Sequence, residues 1–216
     1  MTTEEQRVLA QQLRKPHGEL GLEVAHFMNK GNEVLNRNTI QNIQLKPNAH
    51  IVELGMGNGR FVSELFDIEQ TITYFGVDYS EEMVNQSRAY NKDLTAAGKT
   101  FFYHNVATKM PFEDQTVDVM FTVNTIYFWD NPSAVLAECK RVLKLGGQLV
   151  IGLRPKAQMK NYPFVQFGFT MYSSEEVISL LTLHGFHQVE AKEIAEPDFV
   201  TKEMTMPVRS LVVSAY

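Results

Sequence analysis

The chain has one cysteine, Cys139, among its 216 residues. A single thiol cannot build an intrachain disulfide framework, a multi-thiolate zinc site or an iron–sulfur cluster. Basic runs are missing too. Twenty Lys and Arg against 25 Asp and Glu leave a net charge of -5. That balance suits phosphate backbones poorly, because binding to them rests on charge neutralisation, so no nucleic acid partner is expected. Asp, Asn, Lys or Gly interrupts every long apolar stretch, which predicts no membrane span. The N-terminus, Met1-Thr-Thr-Glu-Glu-Gln-Arg, lacks a positive region followed by an apolar core, so it does not read as a signal peptide. The expectation is a soluble, cytoplasmic protein. The six histidines are scattered, with no H-x-x-x-H and no carboxylate–histidine cluster, so no metal site is expected. His184 and His187 flank a helix stop and read as solvated.

The remaining composition is that of a globular chain, with 44% hydrophobic and 21% charged residues. Its length fits one full domain with a small accessory segment. Residues 1–48 hold helical patterns only. Thr2 to Leu13 is a weak helix stopped by Pro16 and Gly18, and Glu19–Asn29 and Glu33–Ile43 follow it. From His50 the pattern alternates. Strands are predicted at Ile51–Leu54, Ile72–Val77, Thr100–His104, Val117–Thr122, Gln148–Leu153, Phe186–Ile194 and Val208–Ala215. Helices are predicted at Asn58–Phe66, Ser80–Ala97, Ser133–Leu145 and Ser174–His184. Such alternation implies an α/β fold, a doubly wound and mostly parallel sheet. The last two strands have no helix between them, so the final strand should run antiparallel. Their connection is expected over about Ala195–Pro207.

The sharpest motif is Ile51-Val-Glu-Leu-Gly-Met-Gly-Asn-Gly-Arg60. A buried strand runs into three alternating glycines and then a helix. Glycine lets the chain bend tightly and lets a ligand approach the backbone. The dinucleotide fingerprint G-x-G-x-x-G would need glycine where this chain has Arg60, and no P-loop is present. Next comes Gly76-Val-Asp-Tyr-Ser80. Asp78 ends a strand at the carboxyl edge of the sheet, beside the glycine turn, where a carboxylate can accept from a ribose diol. Its competing reading is a helix cap, but Ser80 is better placed for that. Together the two motifs point to a nucleoside ligand.

Four segments together resemble the class I S-adenosylmethionine-dependent methyltransferases. They are Glu53-Leu-Gly-Met-Gly-Asn-Gly, Gly-Val-Asp78, Met110-Pro-Phe-Glu-Asp-Gln-Thr-Val-Asp118-Val-Met-Phe and Arg141-Val-Leu-Lys-Leu-Gly-Gly-Gln-Leu-Val-Ile. The similarity covers about residues 49–194 and is greatest to the small-molecule, ubiquinone/menaquinone-biosynthesis-like group. It implies a Rossmann-like, seven-stranded sheet over residues 49–216, with residues 1–48 as a helical cap or lid. S-adenosylmethionine is the implied cofactor. Gly55, Met56, Gly57, Asn58 and Gly59 would form the loop beneath it. Glu53 would lie near its methionine end, Asp78 at the ribose and Tyr79 over the adenine. Asn105, Val106 and Ala107 would border the adenine, although the family often has Asp where this chain has Val106. Asn124 would meet the amino acid end.

The aromatic cluster Tyr127-Phe128-Trp129 lies on the loop facing the expected transfer site. Trp129 reads as packed on the next helix, while Tyr127 divides between substrate wall and core. The aromatic connection Lys156–Tyr172 carries Tyr162, Phe164, Phe167, Phe169 and Tyr172, and Tyr162 and Tyr172 are candidate acceptor contacts. Arg14, Lys15 and His17 form a surface turn or part of a lid, and Met28-Asn-Lys-Gly-Asn32 carries the same two readings. No catalytic base and no Ser/His/Asp set stands out. The favoured reading is methyl transfer to a small-molecule acceptor. A nicotinamide-dependent oxidoreductase and a SAM-binding protein without turnover are the alternatives, and the sequence is silent on oligomeric state.

Overall fold

The computed structural model describes residues 1–200 and 205–216. Three helices come first: α1 (Thr3–Arg14), α2 (Gly18–Gly31) and α3 (Glu33–Ile40). A capping box opens α1, in which Thr2 accepts from the Glu5 amide and the Glu5 side chain accepts from the Thr2 amide. The alternating part follows as β1 (His50–Leu54), α4 (Val62–Ile68), β2 (Thr73–Asp78), α5 (Glu81–Tyr90), α6 (Lys92–Ala96) and β3 (Thr100–His104). Then come β4 (Val117–Val123), α7 (Pro132–Val142), β5 (Leu143–Leu153), α8 (Lys156–Met159), α9 (Ser174–Leu183), β6 (Glu190–Val200) and β7 (Thr205–Ala215).

The seven strands form one sheet in the order β3-β2-β1-β4-β5-β7-β6. The first five pair in parallel, and β7 runs antiparallel to both β5 and β6. Strand order reverses between β1 and β4, so the crevice at their carboxyl ends is the natural ligand position of such a sheet. Alternation along the strands feeds two cores. Val52, Leu54, Leu149, Ile151, Leu211 and Val213 join α7 and α9 on one face. Ile51, Val150 and Val212 join α4 and Ile40 on the other.

Several predicted boundaries shift for local reasons. The helix expected from Asn58 begins at Val62, because Gly57 and Gly59 hold positive φ values of 57° and 68°. The helix expected over Ser80–Ala97 is broken at Asn91, whose side-chain amide donates to the carbonyls of Gly59 and Ser87, both at 3.0 Å. Strand β5 starts at Leu143, so α7 stops before Gly146-Gly147. The expected connection Ala195–Pro207 is largely strand. Pro197 sits at the register shift between Glu196 and Phe199, where a missing amide breaks no ladder bond. Part of that expected connection, residues 201–204, lies outside the described residues.

Candidate active site

Strand β1 delivers Glu53 and Leu54 to the sheet edge, and the chain turns at Gly55, whose amide donates to the Val77 carbonyl at 2.7 Å. The three glycines share positive φ but differ in surroundings. A Cβ on Gly55 would stand 2.3 Å from the Thr125 methyl, and one on Gly59 would stand 2.8 Å from the Asn91 amide nitrogen. A Cβ on Gly57 would meet nothing within 4 Å. The first and third glycines therefore serve packing, and the middle one keeps open space clear.

Asp78 ties the turn to β2. One carboxylate oxygen accepts from the Gly57 amide at 3.1 Å and the other from the Ser80 amide at 2.8 Å. Ser80 in turn caps α5 by accepting from the Met83 amide. Burial pushes the Asp78 carboxyl up to about 6, against the pull of those amides. Glu53 is buried beside it, and burial lifts its carboxyl to about 7 although the Tyr74 hydroxyl donates to it at 2.6 Å.

A cavity of about 380 Å³ covers this edge. Glu53, Gly55, Met56, Gly57 and Asn58 form its floor, with Asp78 and Tyr79 beside them. Asn105, Val106 and Ala107 line one end, and Asn124 also faces the space. Gly59 is absent from the wall, consistent with its packing against Ser87 and Asn91. The roof comes from the first three helices, through Arg14, Pro16, Met28, Asn29, Asn32 and Asn36. Four contacts seat it. The Tyr79 hydroxyl donates to the Arg14 carbonyl and the Ser80 hydroxyl to the Pro16 carbonyl, both at 2.5 Å. Arg14 pairs with Asp130 at 2.5 Å, and the Asn124 amide donates to the Asn32 side-chain oxygen at 2.9 Å.

None of the three tyrosines considered for the acceptor, Tyr127, Tyr162 and Tyr172, lines this cavity. Tyr127 is 3% exposed and belongs to the core. Its hydroxyl donates toward Asn124 Oδ1 at 2.9 Å and the Arg154 carbonyl at 3.1 Å, and it accepts from the Arg154 amide. Tyr162 stacks on Phe164 at 5.4 Å, and Tyr172 packs half-buried against the same core. The aromatic connection turns away because the Thr170 amide fastens it to the Tyr127 carbonyl at 3.0 Å. Phe128 and Trp129 do line the cavity, and Trp129 also packs in the core as expected. Of the turn residues, Arg14 reaches the wall and Lys15 lies over the Tyr79 ring at 5.1 Å. Asn29 and Asn32, in the stretch read as lid or surface turn, line the wall, and Asn36 and Arg60 join them without having been expected there. Asn29, Asn32 and Asn36, spaced by three and four, were the available signal. Among the described residues no group of three His, Cys, Asp or Glu side chains could hold a metal ion, and no helix is long and apolar enough to cross a membrane.

Comparison with known proteins agrees with this geometry. Residues 52–151 match the methyltransferase domain family. An uncharacterized protein of Methanocaldococcus jannaschii is 31% identical over 189 residues, 78% of this chain and 82% of that one. The ubiquinone/menaquinone biosynthesis C-methyltransferase of Desulfotalea psychrophila is 31% identical over 122 residues, 56% of this chain and 48% of that enzyme. Among solved structures, a chain from a complex between the Haloferax volcanii Trm112 methyltransferase activator and a methyltransferase superposes with a TM-score of 0.77. It is 22% identical, and the match covers 88% of this chain and 92% of that one. With the ordered motifs, the sheet order and the buried acids beside a glycine turn, these matches make the chain a member of the class I S-adenosylmethionine-dependent methyltransferases.

Proposed function

We propose that this enzyme methylates a small molecule inside the roofed cavity. The observation that carries the reading is the roof itself. The first three helices lie over the sheet edge, fastened through Arg14, Pro16 and Asn32, so the site is a roofed cleft and not a flat surface. At about 380 Å³ the chamber lies near the low end of the roughly 300–1,000 Å³ typical of ligand sites. A cofactor takes much of that space, which favours a small acceptor over a polymer.

The donor set suits S-adenosylmethionine. That ligand is cationic at sulfur and at its amino group, and two buried carboxylates face the chamber. Gly57 leaves the backbone open where a Cβ would intrude. In this reading Glu53 faces the methionine end, Asp78 receives the ribose hydroxyls, and Tyr79 with Asn105, Val106 and Ala107 borders the adenine. When bound, the cofactor supplies an activated methyl on a sulfonium. The chain's part is then to hold the acceptor in line with the S–CH3 bond and to exclude water, and positioning of this kind contributes about 7–11 kcal/mol of barrier reduction. Trp129 and the roof helices shed water, and Asn124 and Asn32 supply neutral hydrogen-bonding groups. The described wall holds no histidine, lysine or cysteine, and its two acids with raised titration, Glu53 and Asp78, are assigned in this reading to the cofactor.

The test is S-adenosylhomocysteine (SAH) release across a library of small metabolites, run beside thermal shift with SAH and with NAD. A melting shift with SAH and turnover of at least one small acceptor is the expected pair. Turnover confined to tRNA or DNA defeats the reading.

A further inference from the structure

A second cavity of about 430 Å³ opens beside the first, between α2 and α5. The two share Ala25, Asn29, Asn58, Arg60, Phe61 and Met83 as a common wall. In a chain with net charge -5, this pocket is lined by Arg60, Lys30 and His26, none of which forms an ion pair among the described residues. The one acid on its wall, Glu33, is engaged by Arg37 at 2.7 Å. The Arg60 guanidinium lies 5.8 Å from the Phe61 ring centre and 5.7 Å from that of Tyr90. Aromatic faces hold it in place and leave its five N–H donors for a ligand. Leu22, Met83 and the two rings supply apolar surface around those donors.

We propose that this side pocket binds the methyl acceptor's anionic end, so that the acceptor is a small apolar or aromatic carboxylate or phosphate oriented by Arg60, with Lys30 in support. The proposal rests on the methyl-transfer reading. Arg60 borders both cavities, so a ligand gripped there can extend across the shared wall into the chamber. A planar guanidinium matches a carboxylate or phosphate through two parallel hydrogen bonds, whereas an ammonium acts as a point charge. The anion has one other possible source, the cofactor's own methionine carboxylate, and the experiment separates the two.

Full-length protein saturated with SAH is titrated with benzoate and 1-naphthoate, and with their neutral counterparts benzamide and 1-naphthamide, by ligand-detected NMR. The acids are expected to bind at least tenfold more tightly than the amides. Arg60→Gln should abolish that preference while changing SAH affinity less than twofold, and Arg60→Lys should restore part of it. Equal binding of acids and amides, or no binding of either acid, overturns the proposal. So does an Arg60→Gln variant that keeps the acid preference but loses tenfold in SAH affinity, since the cation then serves the cofactor. Wild-type protein that fails to bind SAH fails the methyl-transfer reading itself, a result visible before any acid is added.

Discussion

The Tyr74 hydroxyl donates to the Glu53 carboxylate at 2.6 Å, across adjacent strands and under the floor of the chamber. Tyr74 is fully buried, so this bond fixes which way the acid faces. Burial still dominates, and Glu53 stays near 7 in the folded chain against an ordinary value of 4.5. The folded state therefore keeps a proton that the unfolded chain releases. The stability this contributes is fully present below about pH 4.5 and is lost as pH rises through about 7. Asp78 acts in the same direction between 3.8 and about 6.

The free protein should accordingly melt at a lower temperature at pH 8 than at pH 5.5. The Glu53 share of that drop is on the order of 2 kcal/mol, the rest of its contribution being lost already below pH 5.5. Glu53→Gln should flatten the slope, and Tyr74→Phe should move the loss to higher pH. An unchanged melting profile in Glu53→Gln counts against this assignment. Ligand binding adds a second readout. An ammonium group placed at Glu53 favours the ionised acid, so binding of SAH with its amino group there should release protons near pH 6.5, measured as a buffer-dependent calorimetric heat.

The three glycines of the turn should separate under substitution. Alanine at any of them meets a left-handed conformation costing roughly 1–2 kcal/mol. Gly55→Ala and Gly59→Ala add clashes with Thr125 and with Asn91 and Ser87, so both should be poorly folded. Gly57→Ala has room for its methyl. It should fold, with a melting temperature lowered by a few degrees, and bind SAH at least tenfold more weakly. A folded Gly57→Ala with normal SAH affinity would show that the ligand does not approach this backbone.

Much of this arrangement was legible in the sequence because local chemistry dictated it. Alternating glycines after a buried strand, and an acid ending the next strand, needed no partner elsewhere to be read. The mostly parallel sheet and the antiparallel β7 followed from which connections could hold a helix. The aromatic residues were read less well. Tyr127 and Trp129 sit two positions apart in one short loop, yet the first bonds to Arg154 in the core and the second faces the chamber. Their fates depend on residues 25 or more positions away, which periodicity does not encode. Pro197 misled for a related reason, because a bulge let β6 continue past it.

Tyr127 should behave as a structural residue. Its hydroxyl joins Asn124 to the backbone of Arg154, and so fixes the loop after β4 to the end of β5. Tyr127→Phe keeps the ring and leaves those partners short of a hydrogen bond, a loss of about 1–3 kcal/mol. The melting temperature should fall, while KM for the acceptor in the folded fraction stays within about twofold. A raised KM with unchanged stability would return Tyr127 to the acceptor wall.

The roof helices border the cavity, and their fastenings to the sheet edge differ in strength. Asp130 is 82% exposed in its pair with Arg14, so water and salt screen that contact to well under about 1 kcal/mol. The hydroxyls of Tyr79 and Ser80 instead bond backbone carbonyls at 2.5 Å from less exposed positions. Neutral hydrogen bonds of this kind contribute about 0.5–1.5 kcal/mol each. Asp130→Ala should therefore speed SAH dissociation only slightly, by less than about fivefold. Ser80→Ala should speed it more, although loss of the α5 cap will also lower stability. Tyr79→Phe, which keeps the ring and removes no cap, is the cleaner variant. Trp129 is the only tryptophan and lines the chamber, so its fluorescence reports occupancy directly in stopped-flow displacement. Dissociation from Tyr79→Phe should be several-fold faster than from wild type, with little change in melting temperature. If both Tyr79→Phe and Asp130→Ala release SAH at the wild-type rate, the contacts at Arg14 do not govern ligand release.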